Sequence, residues 1–220
     1  MNFRSIISEF YRGKDLYRVL MNAECANFSL KGQVLDVGSS AALASYHRYF
    51  KKETPLSIEC LDLSFSESGQ DKKHINLESD VLPYANASVD NALLFNVMEH
   101  LHNYSFVLGE IKRVLKPGGQ LIGAVPFLVN YHPDPHDYWR FTNEALEQIF
   151  KETGFQNITV LPFGMGPFGA AFSMAEPALP RPIKILLFSL VAVFDFLVKR
   201  LNPKFGKGKF PLGYFFVVSN

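Results

Sequence analysis

The chain has 220 residues, 48% of them hydrophobic and 20% charged, with a formal net charge of +1. This length and apolar share fit one domain with a sizeable core and exclude a disordered chain. The near-neutral balance carries no electrostatic footprint for nucleic acid, so no such partner is expected. Two cysteines, Cys25 and Cys60, lack metal-ligand spacing and fit a reduced, cytoplasmic protein. Arg4, Glu9 and Arg12 interrupt the apolar N-terminus, which lacks a signal peptide's continuous core.

Residues 3–28 read as helix, with Ile6, Ile7, Phe10, Leu16, Val19 and Leu20 as a partial stripe that Gly13 breaks or bends. Val34, Leu35 and Val37 suit a first strand, at 33–37, covered on both faces. Asp36 stands at that strand's end. Gly38, Ser39, Ser40, Ala41 and Ala42 then form a small-residue turn that lets a ligand approach the backbone. A helix is expected near 41–51, with Lys51 and Lys52 favourable at its C-terminus. Leu56 to Leu63 reads as the second strand. Asp62, 26 residues after Asp36, can accept hydrogen bonds from ribose hydroxyls. A short third strand covers His74 to Leu77, and the fourth lies within Ser88 to Leu101. An amphipathic helix spans 104–115 and stops at Lys116-Pro117-Gly118-Gly119, and Gln120 to Val125 forms the fifth strand. Thr142 caps the next helix, Gly154 closes it, and Asn157 to Leu161 is the sixth strand. Gly213 to Ser219 is the seventh.

Read together, these stretches resemble class I S-adenosylmethionine-dependent methyltransferases of the type 11 kind. Asp36 and Gly38 match the family's Asp-x-Gly-x-Gly-x-Gly motif, with Ser40 and Ala42 in place of its later glycines. Glu78 to Tyr84 resembles the acidic segment before Leu-Pro-Phe. Asp90 to Leu101 resembles the fourth strand and its Leu-Glu-His exit. Arg113 to Leu121, with its Lys-Pro-Gly-Gly, resembles the family's late structural motif. The resemblance implies an α/β, Rossmann-like, seven-stranded sheet with strand seven antiparallel and helices on both faces. It implies S-adenosyl-L-methionine as cofactor, bound by Asp36, Gly38, Ser40, Asp62, Asn76, Leu77, Glu78 and Asn96. It also implies one methyltransferase domain over 1–220, with residues 1–30 as a helical cover or a plain packing helix.

Two stretches remain for specificity. Residues 126–142 are polar, proline-rich and contain the chain's single Trp. Loops at strand carboxyl ends hold function more often than fold. His132, Pro135, Asp137, Arg140 and Thr142 are similar to a signature of methyltransferases linked to cell-surface polysaccharide synthesis. Three readings stand for this loop. His132 or His136 is a general base oriented by Asp137. Alternatively, His132, Asp134, His136 and Asp137 ligate a metal, which methyl transfer does not require; no metal is expected. Or Asp137 and Arg140 form a salt bridge that pins the loop over Tyr138 and Trp139.

The second stretch, 163–210, is an apolar, basic insertion between strands six and seven. Ile185 to Val198 is nearly all apolar, broken by Ser189 and Asp195, and too short to span a bilayer comfortably. Residues 180–209 hold seven Lys or Arg against one acid. Such a segment suits an anionic membrane surface, a lid over the acceptor, or a dimer interface.

The expected activity is methyl transfer to an oxygen of a small-molecule or glycan acceptor, in the cytoplasm or on the inner face of a membrane. The alternative is a non-catalytic protein of the same fold acting as a membrane-associated partner. An NAD-dependent oxidoreductase would need Gly-x-Gly-x-x-Gly after strand one, which this sequence lacks.

Overall fold

The computed structural model describes residues 3–39, 44–63 and 72–220. The described elements are α1 (Phe3–Tyr11), α2 (Leu16–Cys25), β1 (Ser29–Val37), β2 (Lys51–Asp62), β3 (Lys72–His74), β4 (Val89–Phe95), α3 (Tyr104–Val114), β5 (Leu115–Pro126), α4 (Asn143–Thr153), β6 (Gln156–Phe163), α5 (Pro167–Ala175), α6 (Arg181–Leu201) and β7 (Gly213–Ser219). Short 3-10 turns occur at Ser45–Arg48, Met98–His100 and Glu176–Ala178.

The strands form one seven-stranded sheet in the order β3-β2-β1-β4-β5-β7-β6. The first five pair in parallel, and β7 runs antiparallel between β5 and β6. The order reverses beside β1, the switch point at whose strand carboxyl ends open α/β sheets bind ligands. Burial explains why the central strands are largely apolar. Val34, Leu35, Asp36 and Val37 are all inaccessible to solvent, as are Ala92, Leu93 and Leu94. One face packs α3 and α4 against Leu35, Val37, Leu94, Leu121 and Phe216. The other packs α1, α2, α5 and α6 against Val34, Leu93, Ile122 and Phe215. On that face Phe10, Phe172 and Phe188 join α1, α5 and α6 through ring contacts at 5.0 to 6.3 Å.

The expected leading helix is two helices. Gly13, at φ +81°, sits in the left-handed region between them, where a side chain is disfavoured. Asp15 then caps α2, its carboxylate accepting the Arg18 N–H at 2.6 Å.

The helix expected near 41–51 is corrected. Among its described residues only the 3-10 turn Ser45–Arg48 forms, and Lys51 and Lys52 open β2, pairing with Ser29 and Leu30. Among the described residues there, Tyr46 and Phe50 are buried in the core and Tyr49 packs partly against it. The third strand lies at Lys72–His74 rather than 74–77. Asn76 folds the following residues into a turn: its Oδ1 accepts the Glu78 N–H, and its own N–H donates to Asp80 Oδ2.

Lys116 to Gly119 works as expected in stopping α3, but as a bulge at the start of β5. Val89 pairs with Leu115 and Asn91 with Gln120, so 116–119 loop out of the ladder. Thr142 caps α4 by accepting the Ala145 N–H, and Gly154 closes it in the left-handed conformation. The 163–210 segment contains α5 and α6. Asp195, which interrupts the apolar run, is 5% exposed and accepts the N–H groups of Phe168 and Gly169 at 3.0 and 2.8 Å. It is the N-terminal cap of α5, supplied by α6.

Candidate active site

Strand register brings the first set of candidate residues to one sheet edge. Val37 pairs with Leu61, and the Gly38 N–H donates to the Leu61 carbonyl at 2.7 Å. Gly38 and Asp62 therefore sit side by side at the ends of β1 and β2. Gly38 has φ +80°, and a Cβ there would overlap the methyls of Val97. Only glycine meets both constraints, which explains why this one glycine of the motif is kept. Ser40 and Ala42 lie outside the described residues.

Asp36 is completely buried. Its carboxylate accepts the Tyr46 hydroxyl at 2.7 and 2.8 Å and meets His47 Nε2 at 2.5 Å. Tyr46 in turn stacks on Phe95 of β4. Asp36 thus fastens the chain that returns from the small-residue turn. Asn76, Leu77 and Glu78 occupy the turn after β3. Leu77 is buried, and Glu78 Oε1 accepts the Asn103 N–H at 3.0 Å.

Asn96 follows β4 with φ +55°, a left-handed position that asparagine tolerates better than most residues. Its N–H donates to the Ala124 carbonyl, and its Oδ1 accepts the hydroxyl of Tyr17 from α2. Burial pushes the Tyr17 phenol well above its ordinary range, and the nearby Glu99 carboxylate adds to this. Tyr17 is therefore a donor, not a base. Helix α2 is fixed over the β4 exit through this bond.

The 126–142 loop docks on the turn that follows Asn96. The Tyr138 N–H donates to the Glu99 carbonyl at 2.8 Å, and Trp139 Nε1 donates to the Leu101 carbonyl at 2.9 Å. Asp137 forms a two-pronged pair with Arg140 at 2.5 and 2.7 Å and also accepts the His132 N–H at 3.1 Å. The Arg140 guanidinium holds the Asp137 carboxyl down at about 2. The salt-bridge reading of this pair is the arrangement observed, with Trp139 against Tyr104 and Phe141. His132 Nδ1 lies 3.7 Å from Asp137, beyond hydrogen-bond reach, and 2.8 Å from the Asn130 carbonyl. His136 is exposed, its ring against Tyr138, and its carbonyl takes His100 Nδ1 at 2.5 Å.

Glu99 is the residue that sequence reasoning passed over. Its side chain is fully buried, and neither carboxylate oxygen has a hydrogen-bond partner. Burial pushes its carboxyl up to about 8. The Glu-His pair was visible in sequence, but nothing there revealed that the loop 40 residues on would seal it from water. Glu99, His100 and His132 each bring one ligand atom within 4.8 Å of the other two. The four-residue set His132, Asp134, His136 and Asp137 forms no such group among the described residues.

Comparison with known proteins fits this architecture. Residues 35–123, from β1 into β5, match a family described as a methyltransferase domain. The O-methyltransferase rstn1 of Aspergillus nomiae is 29% identical over 151 residues, 59% of this chain and 67% of that protein. The O-methyltransferase resE of Aspergillus sclerotiorum is 33% identical over 85 residues, and the match spans 34% of this chain and only 32% of that relative's length. A SAM-dependent methyltransferase from Archaeoglobus fulgidus superposes with a TM-score of 0.57 at 14% identity, covering 100% of both chains. The phosphoethanolamine N-methyltransferase 2 of Haemonchus contortus, in complex with S-adenosyl-L-methionine, gives 0.54 at 15% identity over 90% of this chain and 52% of that one. At these identities the superpositions establish the fold.

The sheet order is that of the Rossmann-like methyltransferase fold, and residues 35–123 match a methyltransferase domain. S-adenosyl-L-methionine, bound in the Haemonchus contortus neighbour, is the cofactor that the sequence resemblance implies for this chain. The residues suit that group: a glycine turn at the β1 end, a carboxylate at the β2 end, and a polar turn after β3.

Proposed function

We propose that this protein transfers a methyl group from S-adenosylmethionine to a hydroxyl oxygen, on a small molecule or a glycan carried at a membrane surface. The observation that carries this is the docking of the 126–142 loop over the β4 exit, beside the strand ends where Gly38 and Asp62 meet. The named oxygen-methylating relatives support the choice of atom. The polysaccharide setting rests on the similarity of His132, Pro135, Asp137, Arg140 and Thr142 to the signature described above.

The cofactor supplies an electrophilic methyl on a sulfonium. The acceptor hydroxyl would have to be held in line with that methyl and give up its proton. Such a step depends chiefly on aligned placement of the two reactants, together with a proton acceptor. In this reading Asp62 holds the ribose, and Asn76, Leu77 and Glu78 line the adenine. Asp36, Gly38, Ser40 and Asn96 shape the backbone around the rest of the cofactor. His132 or His136 takes the acceptor's proton, and Asp137, paired with Arg140, fixes the loop through the His132 N–H.

The 163–210 insertion suits peripheral contact with an anionic membrane. Leu186, Leu190, Val193, Phe194, Phe196 and Leu201 are exposed along α6. Arg181, Lys199, Arg200, Lys204 and Lys209 lie at its ends and beyond, where they would face lipid headgroups, and Lys207 pairs with Glu24 at 4.0 Å. Among the described residues no helix is long and apolar enough to cross a membrane. Lys184 is engaged with Glu176 at 3.3 Å and is left out of this surface. Replacing Lys199, Arg200 and Lys204 with Gln should weaken binding to anionic vesicles; undiminished binding would remove the electrostatic contact.

The test of the activity is calorimetric titration with S-adenosylmethionine and S-adenosylhomocysteine, followed by a methyl-transfer screen of hydroxyl acceptors, glycans first. Micromolar binding of both justifies the screen. A folded protein that binds neither is not a methyltransferase.

A further inference from the structure

We propose that Glu99, His100 and His132 form a binding site for one divalent transition-metal ion. One ligand atom from each lies within 4.8 Å of the other two. Two imidazoles and a carboxylate are the donor set of zinc and of first-row ions such as cobalt, and suit magnesium or calcium poorly.

The strongest observation is how the three side chains are held. A metal-ligating histidine usually donates its second ring N–H to a carbonyl or carboxylate, which fixes the tautomer and orients the free nitrogen. Both histidines here are held this way. His100 Nδ1 lies 2.5 Å from the His136 carbonyl, and His132 Nδ1 lies 2.8 Å from the Asn130 carbonyl. Those nitrogens must carry protons, so each ring keeps Nε2 as a lone-pair donor. His100 Nε2 lies 3.7 Å from Glu99 Oε1. Glu99 is a fully buried carboxylate with both oxygens unpaired, an arrangement that costs stability unless a cation or a proton is supplied. Arg140 is committed to Asp137 by two hydrogen bonds.

Ligands about 2.1 Å from a tetrahedral centre stand about 3.4 Å apart. The present separations are wider, and His132, on the exposed loop, closes the difference on binding. That would add one more tie between the loop and the β4 exit, beside the Tyr138, Trp139 and His100–His136 hydrogen bonds. The role of the ion in methyl transfer rests on the reading above. An open coordination position would take the acceptor hydroxyl and ease loss of its proton.

The test uses tag-free, chelator-stripped full-length protein and cobalt(II) as probe, with S-adenosylmethionine titrated in parallel. Wild type should bind one equivalent of cobalt with a visible ligand-field spectrum, displaced by zinc. Glu99→Gln, His100→Gln and His132→Gln should each weaken this by 10-fold or more. Because His132 is exposed, His132→Gln should keep the wild-type circular dichroism spectrum and melting curve. A wild type that binds no cobalt or zinc at millimolar concentration overturns the site and leaves Glu99 as a protonated carboxyl. Equal binding by all three variants overturns it as well. Loss of S-adenosylmethionine binding beside intact cobalt binding fails the methyltransferase reading without touching the metal site.

Discussion

The Asp36 carboxylate meets the His47 ring at 2.5 Å, with the aspartate side chain fully buried and the histidine 2% exposed. This one contact, reinforced by the Tyr46 hydroxyl, joins the end of β1 to the 3-10 turn that stands where a helix was expected. Breaking a buried pair strands the surviving partner in a low-dielectric interior, at about 3–5 kcal/mol. His47→Ala should therefore destabilise the protein by about that amount in urea unfolding, and Tyr46→Phe by about 1.5–3 kcal/mol. A His47→Ala protein that unfolds at the wild-type midpoint would show that Asp36 is held by something else.

Asp195 makes a separate prediction, because it lies in α6 yet satisfies the first amides of α5. Gly166, which precedes α5, offers no side chain to do this. Asp195→Ala should cost about 1–2 kcal/mol, the usual loss of a helix cap. Hydrogen exchange should speed up at Phe168 and Gly169 in particular. Unchanged protection at those two amides would assign the stability loss to packing instead.

The sheet was legible in the sequence because its central strands are buried on both faces and so read as apolar runs: Val34 to Val37, interrupted by Asp36, Ala92 to Phe95, and Leu121 to Val125. Their order carried the topology, and local chemistry carried the caps at Thr142 and Gly154. What the sequence did not reveal depends on contacts between distant segments. Asp36 looks like a ligand-facing carboxylate until Tyr46 and His47 are seen to consume it. Asp195 looks like an obstacle to a membrane helix until the α5 amides appear 26 and 27 residues away. Glu99 became a candidate only when the 126–142 loop closed over it. Hydrophobic period and turn chemistry are local signals, and none of these three roles is local.

Acid pH offers a test of the clamp beside the site. Glu110 accepts the Leu82 N–H and the Arg113 guanidinium, while Arg113 also donates to the Leu82 and Tyr84 carbonyls. The Arg113 hydrogen bonds hold the Glu110 carboxyl below its ordinary value. A depressed folded pKa contributes stability that is fully present above the unfolded value of about 4.3 and is lost as pH falls through the lower folded value. Glu110→Gln should accordingly cost about 1–2 kcal/mol at pH 6. That gap from wild type should close as the pH falls below about 4. A gap that stays constant from pH 6 to 3 would mean that shape, not charge, holds this turn.

Asp62 tests the cofactor pocket itself. It ends β2 next to Gly38, in the position from which a carboxylate can receive both ribose hydroxyls of an adenosyl group. Hydrogen bonds to a charged acceptor are worth about 1.5–3 kcal/mol. Asp62→Ala should then weaken S-adenosylmethionine and S-adenosylhomocysteine equally, by about 10- to 150-fold, since the two share the ribose and differ only at sulfur. Asp62→Asn, which keeps an acceptor oxygen but loses the charge, should fall between the two. Calorimetry on the three proteins, each checked for an unchanged melting temperature, separates the possibilities. Equal loss for both ligands places the carboxylate on the ribose. A loss confined to S-adenosylmethionine would place it near the sulfonium charge instead, and unchanged affinity would remove Asp62 from the pocket.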